Sequence, residues 1–215
     1  MSPLIHALIA WLLAIAFLRN SSDRRLAVIA GVAPDLDGVF ILFSQVLFLT
    51  YHHTFGHSYV FGLPVALSAA VLGRDRLRTG LVALGAFSLH LGADIVGTDW
   101  PIPPLYPFSG PSFSMRGVLS GEVLYAVIDP IVAVAVIGLV FAVMYRREVS
   151  PLEFFSERLD RWFVSRWVYP FKRRCEVCGK RALGPCGSCG RAMCPDHIRG
   201  LLRSRCLDCA GVPNA

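Results

Sequence analysis

Five apolar segments, separated by short polar loops, limit what this chain can fold into. A helix that crosses a bilayer needs about 20 apolar residues, and several of these segments are shorter, so they would need local thinning or partial insertion. We predict an all-α, polytopic helical membrane bundle of about five helices, with a soluble helical bundle as the alternative. The segments are Leu4–Leu18, Leu26–Thr50, Tyr59–Gly73, Thr79–Gly97 and Gly121–Tyr145.

Composition divides the chain into parts of different character. The 215 residues are 54% hydrophobic, more than is usual for a soluble domain. Residues 1–145 carry seven Arg, no Lys and eight acids, whereas residues 146–215 carry fourteen basic residues and seven acids; all seven cysteines follow residue 174. We predict a helical membrane domain over residues 1–147, a basic amphipathic linker helix over 148–174, and a small Cys/His zinc-finger domain over 175–211.

The positions of the arginines predict the orientation. Loops 19–25 and 74–78 and the segment after residue 145 are basic, whereas loops 51–58 and 98–120 together hold one arginine, Arg116. Basic loops stay in the cytoplasm, so we predict a cell-membrane protein whose zinc finger is cytoplasmic, where cysteines remain reduced. The first apolar segment lacks a preceding basic residue and is expected to be retained in the membrane, not cleaved as a signal peptide.

Ionisable side chains interrupt the apolar segments. Such groups usually face the bundle interior and serve function. His90 and Asp94 are four residues apart and share a helix face, so both can bind one ion. Mixed imidazole and carboxylate ligands suit one or two ions of zinc, manganese or iron. The predicted ligands are His6, Asp35, Asp37, His52, His53, His57, His90 and Asp94.

Each of these ligands also has a structural interpretation. His6 can be an interfacial histidine, the loop histidines can be solvated, and the two aspartates after Pro34 can cap a helix that restarts there. His90 and Asp94 can form a hydrogen-bonded pair that ties two helices together. Sequence alone leaves both interpretations open.

The order of these motifs resembles the YdjM-like family of membrane-bound metal-dependent hydrolases over roughly residues 1–145. The motifs are His6, Pro34-Asp35-x-Asp37, the block from His52 to Ser58, and His90-x3-Asp94 followed by Tyr106-Pro107-Phe108. The family's block is H-R-G-x-T-H-S, and this chain departs from it by having H-H-T-F-G-H-S. The resemblance implies a helical metal-binding hydrolase, and the family's similarity to zinc-dependent phospholipase C implies phosphoester substrates.

The predicted chemistry is hydrolysis of an ester or phosphoester, in a lipid or lipid-linked substrate, by metal-activated water. Asp37 and Glu122 are the candidate general bases. The sequence has neither a serine-nucleophile elbow nor a phosphate-binding glycine loop. The alternatives are a non-enzymatic membrane anchor for a zinc-finger interaction module, and a metal transporter.

The linker combines basic residues with aromatic ones. Ser150-Pro151 is a typical helix start. The resulting amphipathic helix is expected either on the cytoplasmic membrane surface or packed on the bundle. The residues that follow helical spacing are Leu152, Phe155, Leu159, Trp162, Phe163 and Arg166.

The tail contains four ligand pairs, each with two residues between its members. They are Cys175 and Cys178, Cys186 and Cys189, Cys194 and His197, and Cys206 and Cys209. Eight ligands are enough for two tetrahedral structural zinc ions. The pattern resembles cross-brace fingers, in which the first and third pairs share one ion and the second and fourth share the other; sequential LIM-like pairing is the alternative.

The tail is also basic. Its positive charge suits an acidic protein, a nucleic acid or anionic membrane lipids. The basic residues are Arg173, Arg174, Lys180, Arg181, Arg191, Arg199, Arg203 and Arg205.

Overall fold

A computed structural model describes residues 2–108, 110–115, 118–200 and 205–211. Arg116 and Arg203 lie outside the described residues. The chain divides into two compact units, Met1–Leu139 and Val140–Ala215.

The first unit is helical. The helices that begin in it are α1 (Pro3–Phe17), α2 (Ser21–Val32), α3 (Gln45–Tyr51), α4 (Tyr59–Leu72), α5 (Arg76–Gly97) and α6, which runs over Gly121–Arg147 with a π-helical turn near its start. The last residues of α6, from Val140, belong to the second unit. Among the described residues, α5 and α6 are long and apolar enough to cross a membrane, whereas α1 and α4 are shorter apolar helices. The predicted helical character is confirmed, and crossing by five helices stays a prediction.

The predicted second span, Leu26–Thr50, is not one helix. Helix α2 ends at Val32, a 3-10 helix follows over Ala33–Leu42, and α3 is a separate short helix. Pro34 explains the break, because it lacks a backbone N–H and its ring clashes with the carbonyl four residues earlier in an α-helix. The break buries the side chain of Asp37 inside the unit.

Small residues let α1, α2 and α5 pack closely. Ala10, Ala14, Ala30 and Ala86 are all buried at the helix contacts. A Cβ at Gly31 would overlap the Cβ of Ala10 and lie 3.3 Å from that of Ala86. Small side chains of this kind allow the backbones of membrane helices to approach each other.

Gly31→Ala is therefore expected to destabilise the first unit by about 1–3 kcal/mol, the usual range for overpacking. Gly92→Ala is the matched control, because an added Cβ there meets no atom within 4 Å and α5 would gain helix propensity. Thermal unfolding of detergent-purified protein should show a lower midpoint for the first variant alone. Equal midpoints would contradict the close packing of α1 on α2.

The second unit combines short helices with two small hairpins. A 3-10 turn (Pro151–Phe154) precedes α7 (Glu157–Trp167) and α8 (Tyr169–Lys172). Antiparallel pairs follow: β1 (Gly184–Pro185) with β2 (Ala192–Met193), and β3 (Ile198–Arg199) with β4 (Arg205–Cys206). Helix α9 (Leu207–Ala210) ends the described part.

A helix begins at Ser150-Pro151 as predicted, but it is a 3-10 helix that ends at Phe154. The amphipathic α-helix α7 begins separately at Glu157, where the Ser156 hydroxyl oxygen accepts a hydrogen bond from the backbone N–H of Arg158. Ser150 donates through both its backbone N–H and its hydroxyl to the carboxylate of Asp160, at 2.6 and 2.7 Å. These bonds fold the preceding segment back onto α7, so Leu152 and Phe155 lie outside that α-helix.

Candidate metal centres

Four predicted ligands from three separate elements meet in the first unit. His6 comes from α1, Asp35 from the 3-10 helix, and His90 and Asp94 from adjacent turns of α5. One ligand atom from each residue lies within 4.8 Å of those of the other three. The His6 ring stacks on that of His90 with centroids 3.7 Å apart. The structure thus brings together residues separated by 88 positions in the chain.

A second group shares one of these residues. His53 and His57, from the loop before α4, join Asp94 with ligand atoms within the same 4.8 Å limit. Asp94 Oδ1 lies 3.1 Å from His6 Nε2, and Oδ2 lies 3.1 Å from His90 Nε2 and 3.4 Å from His57 Nε2. A carboxylate between two ligand groups is an arrangement that suits a pair of neighbouring cations.

Hydrogen bonds set the orientation of the two central imidazoles. His90 Nδ1 lies 2.7 Å from the Gly31 carbonyl oxygen, and His57 Nδ1 lies 3.0 Å from Asp37 Oδ2. Assigning each ring proton to Nδ1 leaves a lone pair on each Nε2, and these two atoms are only 3.3 Å apart. Two facing lone pairs repel unless a cation or a proton lies between them. Metal-binding histidines typically donate their other N–H in this way, so the residues fit a metal.

Asp37 forms hydrogen bonds with the loop that carries His52, His53 and His57. Its carboxylate contacts His52 Nδ1 at 2.7 Å and accepts from the backbone N–H of His53 at 3.1 Å, besides its bond to His57. Gly56 packs so closely on it that a Cβ there would lie 2.9 Å from Oδ2. Neither Asp37 nor His52 belongs to the ligand groups defined above. In this arrangement Asp37 forms hydrogen bonds to the loop that carries the histidines, and its role as a metal ligand stays a prediction.

The surrounding carboxylates favour a positive charge at His57. Burial lowers its pKa, but hydrogen bonds to Asp37 and Asp94 outweigh burial and raise the pKa of His57 to about 9. Burial and the neighbouring His57 and His52 lower the pKa of His53 to about 3. A bound cation would supply the same positive charge that protonated His57 supplies without one.

Several buried polar atoms in the groups have no hydrogen-bond partner among the described residues. They are His6 Nδ1, His53 Nδ1 and Asp35 Oδ2. Leaving such atoms unsatisfied usually costs about 1–3 kcal/mol each. Atoms of this kind are available to a ligand or to water.

Glu122, the other predicted base, is not in either ligand group, and its side chain is exposed near the start of α6.

A cavity of about 420 Å³ opens beside His52 and His53. Trp100 lies edge-on to both rings, with centroids 5.3 and 5.4 Å away. Sequence reasoning missed Trp100 and Asp99, although they follow Asp94 closely in a loop rich in proline and aromatic residues. The other lining residues are Leu49, Thr50, Thr54, Pro101, Pro103 and Ser112.

The tail ligands form two interleaved groups. Cys175, Cys178, Cys194 and His197 form one, and Cys186, Cys189, Cys206 and Cys209 form the other. This is the cross-brace pairing and not the sequential one. The Sγ atoms of Cys178 and Cys194 are 3.5 Å apart, and those of Cys189 and Cys206 are 3.7 Å apart. Zn–S bonds of about 2.3 Å in a tetrahedron put sulfurs about 3.8 Å apart, whereas a disulfide needs about 2.05 Å.

Backbone N–H donors lower the pKa of one buried thiol in each tail group. Burial raises the pKa of the Cys186 thiol, but backbone N–H donors, among them Cys206 at 3.1 Å and Ser188 at 3.5 Å, lower it to about 6. The pKa of Cys175 is lowered to about 6 by the same balance. The thiolate is the form that binds zinc, so each group contains one sulfur in which that form is favoured.

These features define a helical protein with apolar helices, a buried group of histidines and carboxylates, and a separate cysteine-rich unit. A family model described as YdjM inner membrane protein matches residues 1–155. The chain therefore belongs to the YdjM inner membrane protein family, which confirms the resemblance seen in its motifs. The match ends before the cysteine groups. No curated protein and no solved structure matches the chain.

Proposed function

We propose that this chain is a membrane-bound metal-dependent hydrolase that cleaves an ester or phosphoester in a lipid or lipid-linked substrate. The observation that carries the proposal is the 3.3 Å approach of His57 Nε2 to His90 Nε2 beside Asp94, with both Nδ1 atoms already bonded to acceptors. Polar links between helices have no need of histidine and carboxylate ligand atoms that all lie within 4.8 Å of one another. Convergence therefore favours the enzyme over the membrane-anchor alternative.

The residues have separate roles in this proposal. A divalent cation held by the two groups that share Asp94 would supply an acidified water and positive charge for a phosphoester oxygen. Asp37 fixes the His57 ring and the backbone of His53. Asp35 keeps a buried oxygen without a hydrogen bond among the described residues, so it is better suited than Asp37 or Glu122 to accept a proton.

Two features support a lipid substrate. The cavity beside His53 has apolar and polar walls, as a substrate with a headgroup and chains requires. Leu42, Phe43 and Val46, on the segment that leads to this cavity, are exposed apolar residues. In a membrane protein such a surface faces lipid, so a substrate can enter laterally.

The transporter alternative needs a polar path along the bundle. Asp129 is the natural start of one, since its buried Oδ1 has no hydrogen-bond partner among the described residues. From residue 130 to residue 145, however, α6 has no ionisable side chain except the phenol of Tyr145. This favours hydrolysis over transport.

We also propose that the second unit lies in the cytoplasm and holds two structural zinc ions. Arg146 and Arg147 at the end of α6 support this orientation. The buried core of the finger consists largely of ligand cysteines, which supports folding that depends on metal.

The test uses the full chain with metal analysis and hydrolysis assays on phospholipid vesicles and a soluble phosphodiester. His57→Ala/His90→Ala should abolish hydrolysis and remove the metal bound by the first unit. His197→Ala, which removes a histidine from the tail, should lower zinc content but leave hydrolysis within about two-fold. Unchanged hydrolysis in the double variant would refute the proposal, and circular dichroism of each variant checks its helical content.

A further inference from the structure

We propose that the second unit binds the surface of an anionic phospholipid bilayer through an aromatic face formed by α7 and α8. This aromatic face consists of Leu159, Trp162, Phe163 and Trp167 on α7, with Phe155 before it and Phe171 in α8. The proposal does not depend on the hydrolase function of the first unit.

Helix α7 exposes one part of its circumference. Asp160 and Val164 are buried, and Asp160 is bonded to Ser150, so this strip of the helix packs within the unit. Trp162 and Trp167, which border the buried strip or lie away from it, are 53% and 60% exposed. At about 100° per residue, Leu159, Trp162, Phe163, Arg166 and Trp167 occupy an arc of about 140°.

Exposed aromatic residues also lie just before and just after the helix. Phe155 is 73% exposed and Phe171 is 70% exposed. Large aromatic side chains clustered in water usually mark a binding surface. Tryptophan in particular is enriched where a membrane meets water, because its ring is apolar and its N–H is polar.

Contacts within the second unit fix this face beside the end of α6. Lys172 Nζ donates to the Arg146 carbonyl oxygen at 3.1 Å and lies 5.8 Å from the centre of the Tyr145 ring. Lys172 and Arg173 both pair with Glu148, at 2.8 and 3.0 Å. Phe171 is therefore held next to the last turn of a helix that is apolar enough to cross a membrane. Arg146 and Arg147 mark where that helix meets water, so the aromatic face lies at headgroup depth.

The charge of the segment that carries the aromatic face indicates which kind of bilayer the face binds. Residues 146–174 contain eight basic and four acidic residues. Two of the acids, Glu153 and Asp160, are buried, and Glu148 is paired with two cations. Arg158 and Arg166 are exposed beside Trp162. A basic surface with aromatic residues matches anionic headgroups more closely than zwitterionic ones.

The experiment measures tryptophan emission of the full chain in lipid nanodiscs of phosphatidylglycerol and phosphatidylcholine. Subtracting the emission of Trp162→Phe/Trp167→Phe isolates these two residues and leaves Trp11 and Trp100 untouched. We expect lipids brominated near the headgroup to reduce the isolated emission at least two-fold, and acrylamide to have little effect.

Two double variants that remove equal charge test whether the arginines beside the aromatic face contribute to lipid binding. Arg158→Gln/Arg166→Gln should weaken the lipid quenching about two-fold or more, and Arg199→Gln/Arg205→Gln, which removes equal charge elsewhere in the unit, should not. Emission quenched by acrylamide but not by brominated lipid would mean that the face is free in solution. Protection from both quenchers would mean that protein covers it, such as a second copy of this chain. Either result overturns the proposal.

Discussion

Asp94→Asn is expected to remove the metal bound by both ligand groups of the first unit. The substitution keeps the size of the side chain but takes away the charge that His6, His57 and His90 approach within 3.4 Å. Hydrolysis should fall by about 10³-fold or more, which is a barrier increase of about 4 kcal/mol. His6→Ala and His53→Ala each affect one group, so each should remove only part of the metal.

Asp99→Asn is the control for this prediction. Asp99 is a half-buried carboxylate five residues further along that accepts a hydrogen bond from the Tyr125 hydroxyl at 2.8 Å and belongs to neither group. The metal content of the Asp99→Asn variant should match that of the unchanged protein. If Asp94→Asn loses no more metal than Asp99→Asn, as determined by elemental analysis, Asp94 is not a shared ligand.

Cys206→Ser should unfold the finger and release both zinc ions. Cys206 is buried, and zinc binding in such sites contributes about 10–16 kcal/mol to folding. The two groups are interleaved, so the segment that carries Cys194 and His197 lies between ligands of the other ion. Loss of one ion therefore frees the chain segments that hold the second.

Ser188→Ala provides the comparison, because it lies between two ligands but contributes only its backbone N–H to Cys186. Zinc content near two equivalents is expected for this control and near zero for Cys206→Ser. Sequential pairing would instead leave one fully bound ion in the cysteine variant. Native mass spectrometry of the full chain distinguishes the two results by counting bound zinc.

Local spacing predicted part of each metal group. The i, i+4 relation placed His90 and Asp94 on one face of α5, and the regular Cys pairs identified the tail ligands. The role of Asp37 could not be predicted, since a carboxylate near histidines can be a ligand or an orienting acceptor. Which of these it becomes depends on whether it meets Nδ1 of His52 and His57, and only tertiary packing decides that.

Hydropathy misled the prediction of one span, and the role of Glu122 that membrane depth suggested stays a prediction. Leu26–Thr50 has the composition of a span, but hydropathy does not register the hydrogen bond that Pro34 removes. Glu122 was assigned to the site because it lies at the same predicted membrane edge as the histidines. Depth alone does not fix which way a side chain points, and Glu122 is exposed on its helix.

If both groups that share Asp94 bind cations, the folding of the first unit would depend on the supply of those ions. Its candidate ligands come from α1, the 3-10 helix, the loop before α4 and α5, so a pair of cations held by the two groups would together join four stretches of chain. A ligand present at 100 times its dissociation constant adds about 2.7 kcal/mol to the free energy of unfolding. Chelators used during purification would then destabilise part of the tertiary structure as they remove the metal. Inactive preparations would therefore be partly unfolded as well as metal-free.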